Sequence, residues 1–534
     1  MRSPLLVLAT AIAIGPSTAA ARDYILTIGG GYSPSGNQVS LEKNVLFFGR
    51  VIESSLAEGY EHTIFFADGD DSRRDVQFID SESPAPRIYA LLARLFDETD
   101  HLFERYRDHA VENVAGSASV ANVRNWFETV GRSLTADDRL ILYVTAHGGR
   151  SNDRERPRNT ILHLWNDEDV TVEEFAAELD KVSPEVPVVL VMVQCYSGGF
   201  ADLLFDDADP GAGVAQHNRC GFFATTHKRV AAGCTPDIED ADYREYSSAF
   251  WAAILGETRT GEAVEMPDYD KDGQVSFAEA HAYVLIHSDT IDIPVTMSDA
   301  FLRAYSSEPE RDANLAVREA ERRRPPAEED RERPSQQKSP QTVTALRPVE
   351  PLRSDSPIES LLAAAEPPAR AAIDGLSERL SLKRSDRAAE TRELAEKVEG
   401  ERRRLRGRIG RLSRSESRAR SEIETDVLDQ WPELAGIWNA EGRRVVAEES
   451  HEVLGMIESH PRFKDWRRLE SERIELEEQR DDLERDWVKC QRLLGLLETT
   501  ALGHNLPLTA DVELLSRYEQ LRAAENASFR TKPR

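Results

Sequence analysis

Two apolar runs, each ending in a reactive side chain, constrain this chain more than any other feature. The first, Arg139-Leu140-Ile141-Leu142-Tyr143-Val144-Thr145-Ala146, runs into His147-Gly148-Gly149, and the second, Val186 to Gln194, runs into Cys195-Tyr196-Ser197-Gly198-Gly199. Short, unbroken runs rich in β-branched residues read as strands buried on both faces, the pattern of a parallel sheet covered by helices. Both side chains then emerge at carboxyl-terminal strand ends, the edge along which open α/β sheets bind ligands. An imidazole and a thiol meeting there form a nucleophilic pair, because a nearby imidazolium or helix amino terminus activates a thiol. Gly148 offers a sharp turn with bare backbone N–H groups of the kind that build an oxyanion hole. Ser197-Gly198-Gly199 lets the backbone leave Cys195 tightly.

Around these runs strand and helix signals alternate. Tyr24–Ile28 reads as the first strand, ended by Gly29-Gly30-Gly31; Leu41–Ala57 reads as a helix, His62–Ala67 as the second strand, and Ile88–Phe96 and Val120–Val130 as further helices. Such alternation predicts right-handed crossovers and an α/β fold with a mainly parallel sheet flanked by helices. The glycine run is no dinucleotide fingerprint, because Ser33-Pro34-Ser35 breaks the spacing. Asp68-Gly69-Asp70-Asp71 reads as a solvated polar turn rather than a metal site.

At His147-Gly148 and Cys195-Tyr196-Ser197-Gly198 the sequence resembles the caspase-like cysteine peptidases, and within them the legumain (asparaginyl endopeptidase) type. A third block agrees: Phe222-Phe223-Ala224-Thr225-Thr226 followed by Ala232-Gly233-Cys234-Thr235-Pro236-Asp237 is similar to the legumain strand and its later pocket wall. The resemblance covers about residues 24–260. It implies a caspase-like fold, an endopeptidase with Cys195 as nucleophile, His147 as proton donor to the leaving amine and the Gly148 N–H on the oxyanion, and Asp237 in the pocket for the residue before the cut. Val193 stands where the family carries an acidic or amide pocket residue, and the family's arginine after the first strand is not evident. Specificity therefore does not transfer, although Asp237 points to a basic or polar residue before the cut. Ligation, as in some relatives, and a catalytically silent caspase-like scaffold are the alternatives.

Asp268-Tyr269-Asp270-Lys271-Asp272-Gly273-Gln274-Val275-Ser276-Phe277-Ala278-Glu279 fits a twelve-position calcium loop. Acidic oxygens fall at positions 1, 3 and 5 (Asp268, Asp270, Asp272), glycine at 6, a carbonyl donor at 7 (Gln274), a small polar residue at 9 (Ser276) and a bidentate carboxylate at 12 (Glu279). Pro267 and the short stretch before it leave little room for an entering helix, while Phe277–His287 reads as the exiting one. A structural Ca2+ is expected; catalysis requires no cofactor.

With 534 residues the chain exceeds a single core, and its formal charge of −29 argues for solubility and against general nucleic-acid binding. Residues 1–21 have the three parts of a secretory signal peptide, and their apolar run falls short of the roughly 20 residues that span a bilayer. An exported (periplasmic or secreted) protein acting on protein or peptide substrates, without a membrane span, is the expectation. There Cys220 and Cys234 form a bridge or stay free thiols. The peptidase domain is read as 22–306, a disordered Pro/Arg/Glu/Ser-rich linker as 307–366 and a separate helical, coiled-coil-like domain as 367–530. Leu469, Leu476, Leu483, Cys490 and Leu497 recur at heptad spacing beside a mixed seam of Trp466, Arg473, Arg480, Trp487 and Leu494, which predicts a long helix hairpin or bundle rather than a dimeric zipper. The arginine run Arg402-Arg403-Arg404, Arg406, Arg408 and Arg411 reads as a solvated helix face. The helical region is expected to restrain the enzyme or dock a partner, so truncation after Ser306 is expected to leave a soluble, more active peptidase.

Overall fold

A computed structural model describes residues 22–57, 59–79, 85–236, 243–309 and 350–530. The signal-peptide reading and most of the linker lie outside these residues. The strands are β1 (Asp23–Gly29), β2 (Glu61–Phe66), β3 (Val76–Ile79), β4 (Glu104–Arg107), β5 (Val114–Gly116), β6 (Arg139–Thr145), β7 (His147–Gly149), β8 (Ile161–Leu164), β9 (Glu168–Thr171), β10 (Val188–Met192), β11 (Arg219–Phe223) and β12 (Val295–Thr296). Seven of them form one sheet in the order β12-β11-β10-β6-β1-β2-β5, parallel throughout except where β12 meets β11. Every residue of β6 and β10 is buried, as unbroken apolar runs require of central strands. At the opposite end of β6 a buried bidentate pair, Arg139 to Asp23 at 2.9 and 2.8 Å, ties the start of β6 to that of β1.

The helices that matter below are α1 (Val39–Ser55), α2 (Arg87–Phe96), α3 (Val172–Leu179), α4 (Tyr246–Leu255), α5 (Phe277–His287), α6 (Met297–Tyr305), α7 (Ile358–Ala364), α8 (Pro367–Arg379), α9 (Arg387–Gln430), α10 (Ala440–Ser459), α11 (Phe463–Thr509) and α12 (Val512–Glu525). α2 and α5 fall where the sequence placed them. Two features had no sequence signal: the antiparallel sheet β7-β8-β9, which begins at His147 itself, and the β3-β4 hairpin.

The helical half is not a separate body. Leu502, Leu506, Leu521 and Phe529 belong to the core cluster of the sheet, with Phe529 stacked on Trp251 and edge-on to Phe277. Hydrogen bonds join them: the Phe277 backbone N–H donates to Ala527 O, the Ala57 N–H to Arg530 O, and the Arg139 side chain, through Nη1, to Ser528 O. The linker reading also runs too far, because α7 lies inside it. Ile358 and Leu361 of α7 are buried against Leu493, Leu497 and Ala501 of α11, a short amphipathic helix hidden between prolines. α9 and α11 form the expected long hairpin. At its tip, Ala419, Ile423, Val427, Val445 and Trp466 pack on Ile88, Leu92 and Leu95 of α2, and Tyr89 stacks on Trp438 at 5.4 Å. The hairpin is thus anchored to the α/β unit at both ends. No helix among the described residues is long and apolar enough to cross a membrane.

Candidate active site

Sheet register sets the two reactive side chains level. Val144 pairs with Met192, and the Val193 N–H donates to Val144 O at 3.0 Å, so His147 and Cys195 each lie three residues beyond a matched pair. Their turns touch. A Cβ on Gly148 would stand 2.2 Å from the Cys195 carbonyl oxygen and 2.7 Å from Gln194 Cγ, so glycine alone fits there.

His147 is oriented from the loop before α1. Its Nε2 lies 2.7 Å from Gly36 O and 2.8 Å from Gln38 Oε1. Gln38 is itself fixed, its Nε2 donating to Ser35 O and to Gln77 Oε1 at 3.1 Å each. Both neighbours of Nε2 are acceptors, so Nε2 carries the proton and Nδ1 is left as the basic nitrogen. Burial lowers the imidazole pKa, the Gly36 carbonyl opposes that, and His163 adds to it.

Cys195 sits at a strained exit. Tyr196 has φ +59°, a left-handed conformation that costs a non-glycine residue energy, and its N–H is held by Arg229 O at 2.9 Å. The next turn is packed too closely for side chains: a Cβ on Gly198 would meet Thr225 O at 2.6 Å, and one on Gly199 would meet Thr160 Oγ1 at 2.2 Å and Arg158 O at 2.4 Å. The thiol receives the Ala231 N–H at 3.3 Å. Burial raises its pKa, the contact with Ala231 lowers it, and the charge of Asp292 raises it again.

Asp292 gave no signal in the sequence beyond being a lone acid between two isoleucines. It is fully buried, accepts the Ala232 N–H at 2.7 Å through Oδ1, and leaves Oδ2 without a partner. Burial pushes its carboxyl up to about 7. The segment carrying it is gripped by Arg492 of α11, only 3 % exposed, which donates to Asp292 O at 2.8 Å, Ser288 O at 2.7 Å and Thr290 Oγ1 at 3.1 Å. Arg229 pairs with Glu484 of α11 at 2.6 Å and stands over the Trp487 ring, with Arg402 of α9 over the same ring. Arg402 is therefore buried as well as paired, whereas Arg403, Arg404, Arg406, Arg408 and Arg411, which follow it in the run, are exposed. A heptad count cannot foresee an arginine aimed into another unit.

Asp237 lies outside the described residues. Cys220, in β11, and Cys234 are free thiols, so no bridge joins them. In the acidic loop, Asp268, Asp270 and Glu279 bring one oxygen each within 4.8 Å of one another, a donor set that fits a hard cation. Asp272 Oδ1 accepts the Gln274 N–H, Gln274 Oε1 accepts from Ser528, and Ser276 caps α5 in a box with Glu279. No helix enters this loop, in keeping with Pro267.

No family model matches the chain, and no curated protein matches it. Among solved structures it is similar to protein GSU0716 from Geobacter sulfurreducens, at 13% identity and a TM-score of 0.25, over 44% of this chain and 80% of that one.

Proposed function

We propose that the protein is a cysteine endopeptidase of the caspase-like, legumain type. The observation that carries this reading is the level placement of His147 and Cys195 beyond paired parallel strands, with Nδ1 of His147 left basic. In the reaction the Cys195 proton passes to His147 Nδ1 as the sulfur attacks the scissile carbonyl carbon. The Gly148 N–H faces the resulting oxyanion, and the imidazolium returns the proton to the leaving amine. Water then hydrolyses the thioester and regenerates the thiol; an incoming amine in its place would give ligation. Asp237 favours a basic or polar residue before the cut. The first 21 residues direct export, and Ca2+ held by Asp268, Asp270, Asp272, Gln274 O, Ser276 and Glu279 stiffens the loop before α5.

The catalytically silent alternative draws on one observation, that burial raises the Cys195 thiol. Digestion of a peptide library by wild type, Cys195→Ala and His147→Ala separates the two. The enzyme reading expects cleavage by wild type alone, with both variants keeping the wild-type circular dichroism spectrum. Cleavage surviving in Cys195→Ala would refute the mechanism, and an inert wild type would favour the scaffold.

A further inference from the structure

The turn after β2 was read from its sequence as solvated acids. Its first acid is not solvated. We propose that Asp68, Asp75 and His109 form a binding site for a divalent cation of the zinc or manganese class. This inference does not depend on the peptidase reading.

One ligating atom of each residue lies within 4.8 Å of those of the other two. Three further observations separate the group from an ordinary acidic turn. Both Asp68 carboxylate oxygens are shut off from solvent, and neither has a hydrogen-bond partner. His109 places Nε2 2.8 Å from Gly69 O, an acceptor only, so Nε2 carries the proton and the lone pair sits on Nδ1. That Nδ1 is also buried and unpartnered. Asp75 is fully buried; its Oδ1 accepts the His109 N–H at 3.0 Å, and its Oδ2 has only Asn37 Nδ2 at 3.4 Å.

A proton shared between the two carboxyls would satisfy one oxygen of Asp68 and would leave the other, with the His109 lone pair, facing nothing. A cation answers all three side chains at once. The ring N–H bonded to a backbone carbonyl is the arrangement that orients a metal-binding histidine. Two carboxylates with one imidazole suit zinc or manganese, whereas calcium takes oxygen ligands alone.

The surroundings are built to hold this geometry. Ala67, just before Asp68, has φ +40°, and Gly69 has φ +89° with space for no Cβ, since one would meet Ser117 N at 2.6 Å. The ring of His109 is set edge-on to Phe66 at 5.2 Å. From the site a buried path leads towards His147. Asn37 Nδ2 donates to Asp75 O, the Gly31 N–H donates to Asn37 Oδ1, and the next residue, Gln38, orients the imidazole. A bound cation would brace that loop.

Full-length protein stripped with a chelator, reloaded with Zn2+ or Mn2+ and dialysed, provides the test. With the acidic loop kept filled by excess Ca2+ throughout, elemental analysis should find one retained Zn2+ or Mn2+ equivalent in wild type and its loss in Asp68→Asn and His109→Ala. The Tm of wild type should climb with metal concentration and that of those two variants should not. Because a variant can misfold, Co2+-loaded wild type is measured too and should show the visible bands of a nitrogen-ligated ion. Equal metal retention by wild type and Asp68→Asn, or Co2+ spectra identical to the aquo ion, would overturn the assignment. So would an Asp68→Asn protein more stable than wild type with no metal retained by either, which is the behaviour of a shared proton.

Discussion

Burial holds the Cys195 thiol above its ordinary range and the His147 imidazole below its own, so at neutral pH both rest uncharged. For His147 the sign is simple: a lowered pKa keeps the neutral base available in more acid solution. The acid limb of the kcat/KM profile should therefore fall below about 6.5, the ordinary imidazole value. A limb at or above that value would contradict the burial argument. Above about 7, where it has lost its proton, Asp292 acts on the thiol as a nearby negative charge. Asp292→Asn keeps an acceptor for the Ala232 N–H and removes the charge, so iodoacetamide should alkylate Cys195 faster at a given pH in that range, followed by mass spectrometry. The same variant has a stability signature. The folded state keeps the Asp292 proton up to about 7, whereas an unfolded aspartate loses it near about 4. The stability contributed by the protonated carboxyl is full below the unfolded value and is lost as pH rises through the folded one. Denaturation midpoints of wild type should fall relative to Asp292→Asn across that window. His147 and Cys195 were legible because each ends a strand beside glycines. Gln38, Arg229 and Asp292 were not, because their roles arise only from contacts made across the fold.

At the scale of elements, buried strands and helices announce themselves through periodicity, and β6, β10, α2 and α5 stand where the pattern put them. The sheet β7-β8-β9 did not, because strands of three or four residues containing His, Gly and Asp carry no period-2 signal. The turn leaving Cys195 joins these two worlds, with Gly199 pressed against the strand-forming segment before β8. Gly199→Ala should cost about 1–3 kcal/mol through overpacking against the Arg158 carbonyl, which cannot swing away. Urea titration measures it, and a wild-type midpoint would mean that the backbone there yields. In the acidic loop, excess Ca2+ should raise the Tm of chelator-treated wild type and leave that of Asp268→Asn unchanged.

For the whole molecule, the sequence suggested a peptidase with a removable helical appendage. The packing reverses that expectation. Truncation after Ser306 would uncover the core faces now filled by Leu502, Leu506, Leu521 and Phe529, so the shortened chain should be insoluble or unfolded in expression and circular dichroism. A cut confined to residues 310–349 should leave both pieces associated on gel filtration. Arg492 and Glu484 hid this, since both lie off the heptad seam of α11 and look like solvent-facing charges until their partners on the α/β unit are known. The α9–α11 hairpin has a further, metric consequence. Trp466 marks its hold on α2, and Trp487 marks its hold on the loop behind Cys195. The intervening turns measure about 30 Å at 1.5 Å per residue. A rod fixed at both ends is a ruler: it dictates the separation of its two marks and cannot be shortened to suit them. Deleting one heptad from each helix would preserve the seam yet bring the marks about 10 Å closer, so one hold would have to let go.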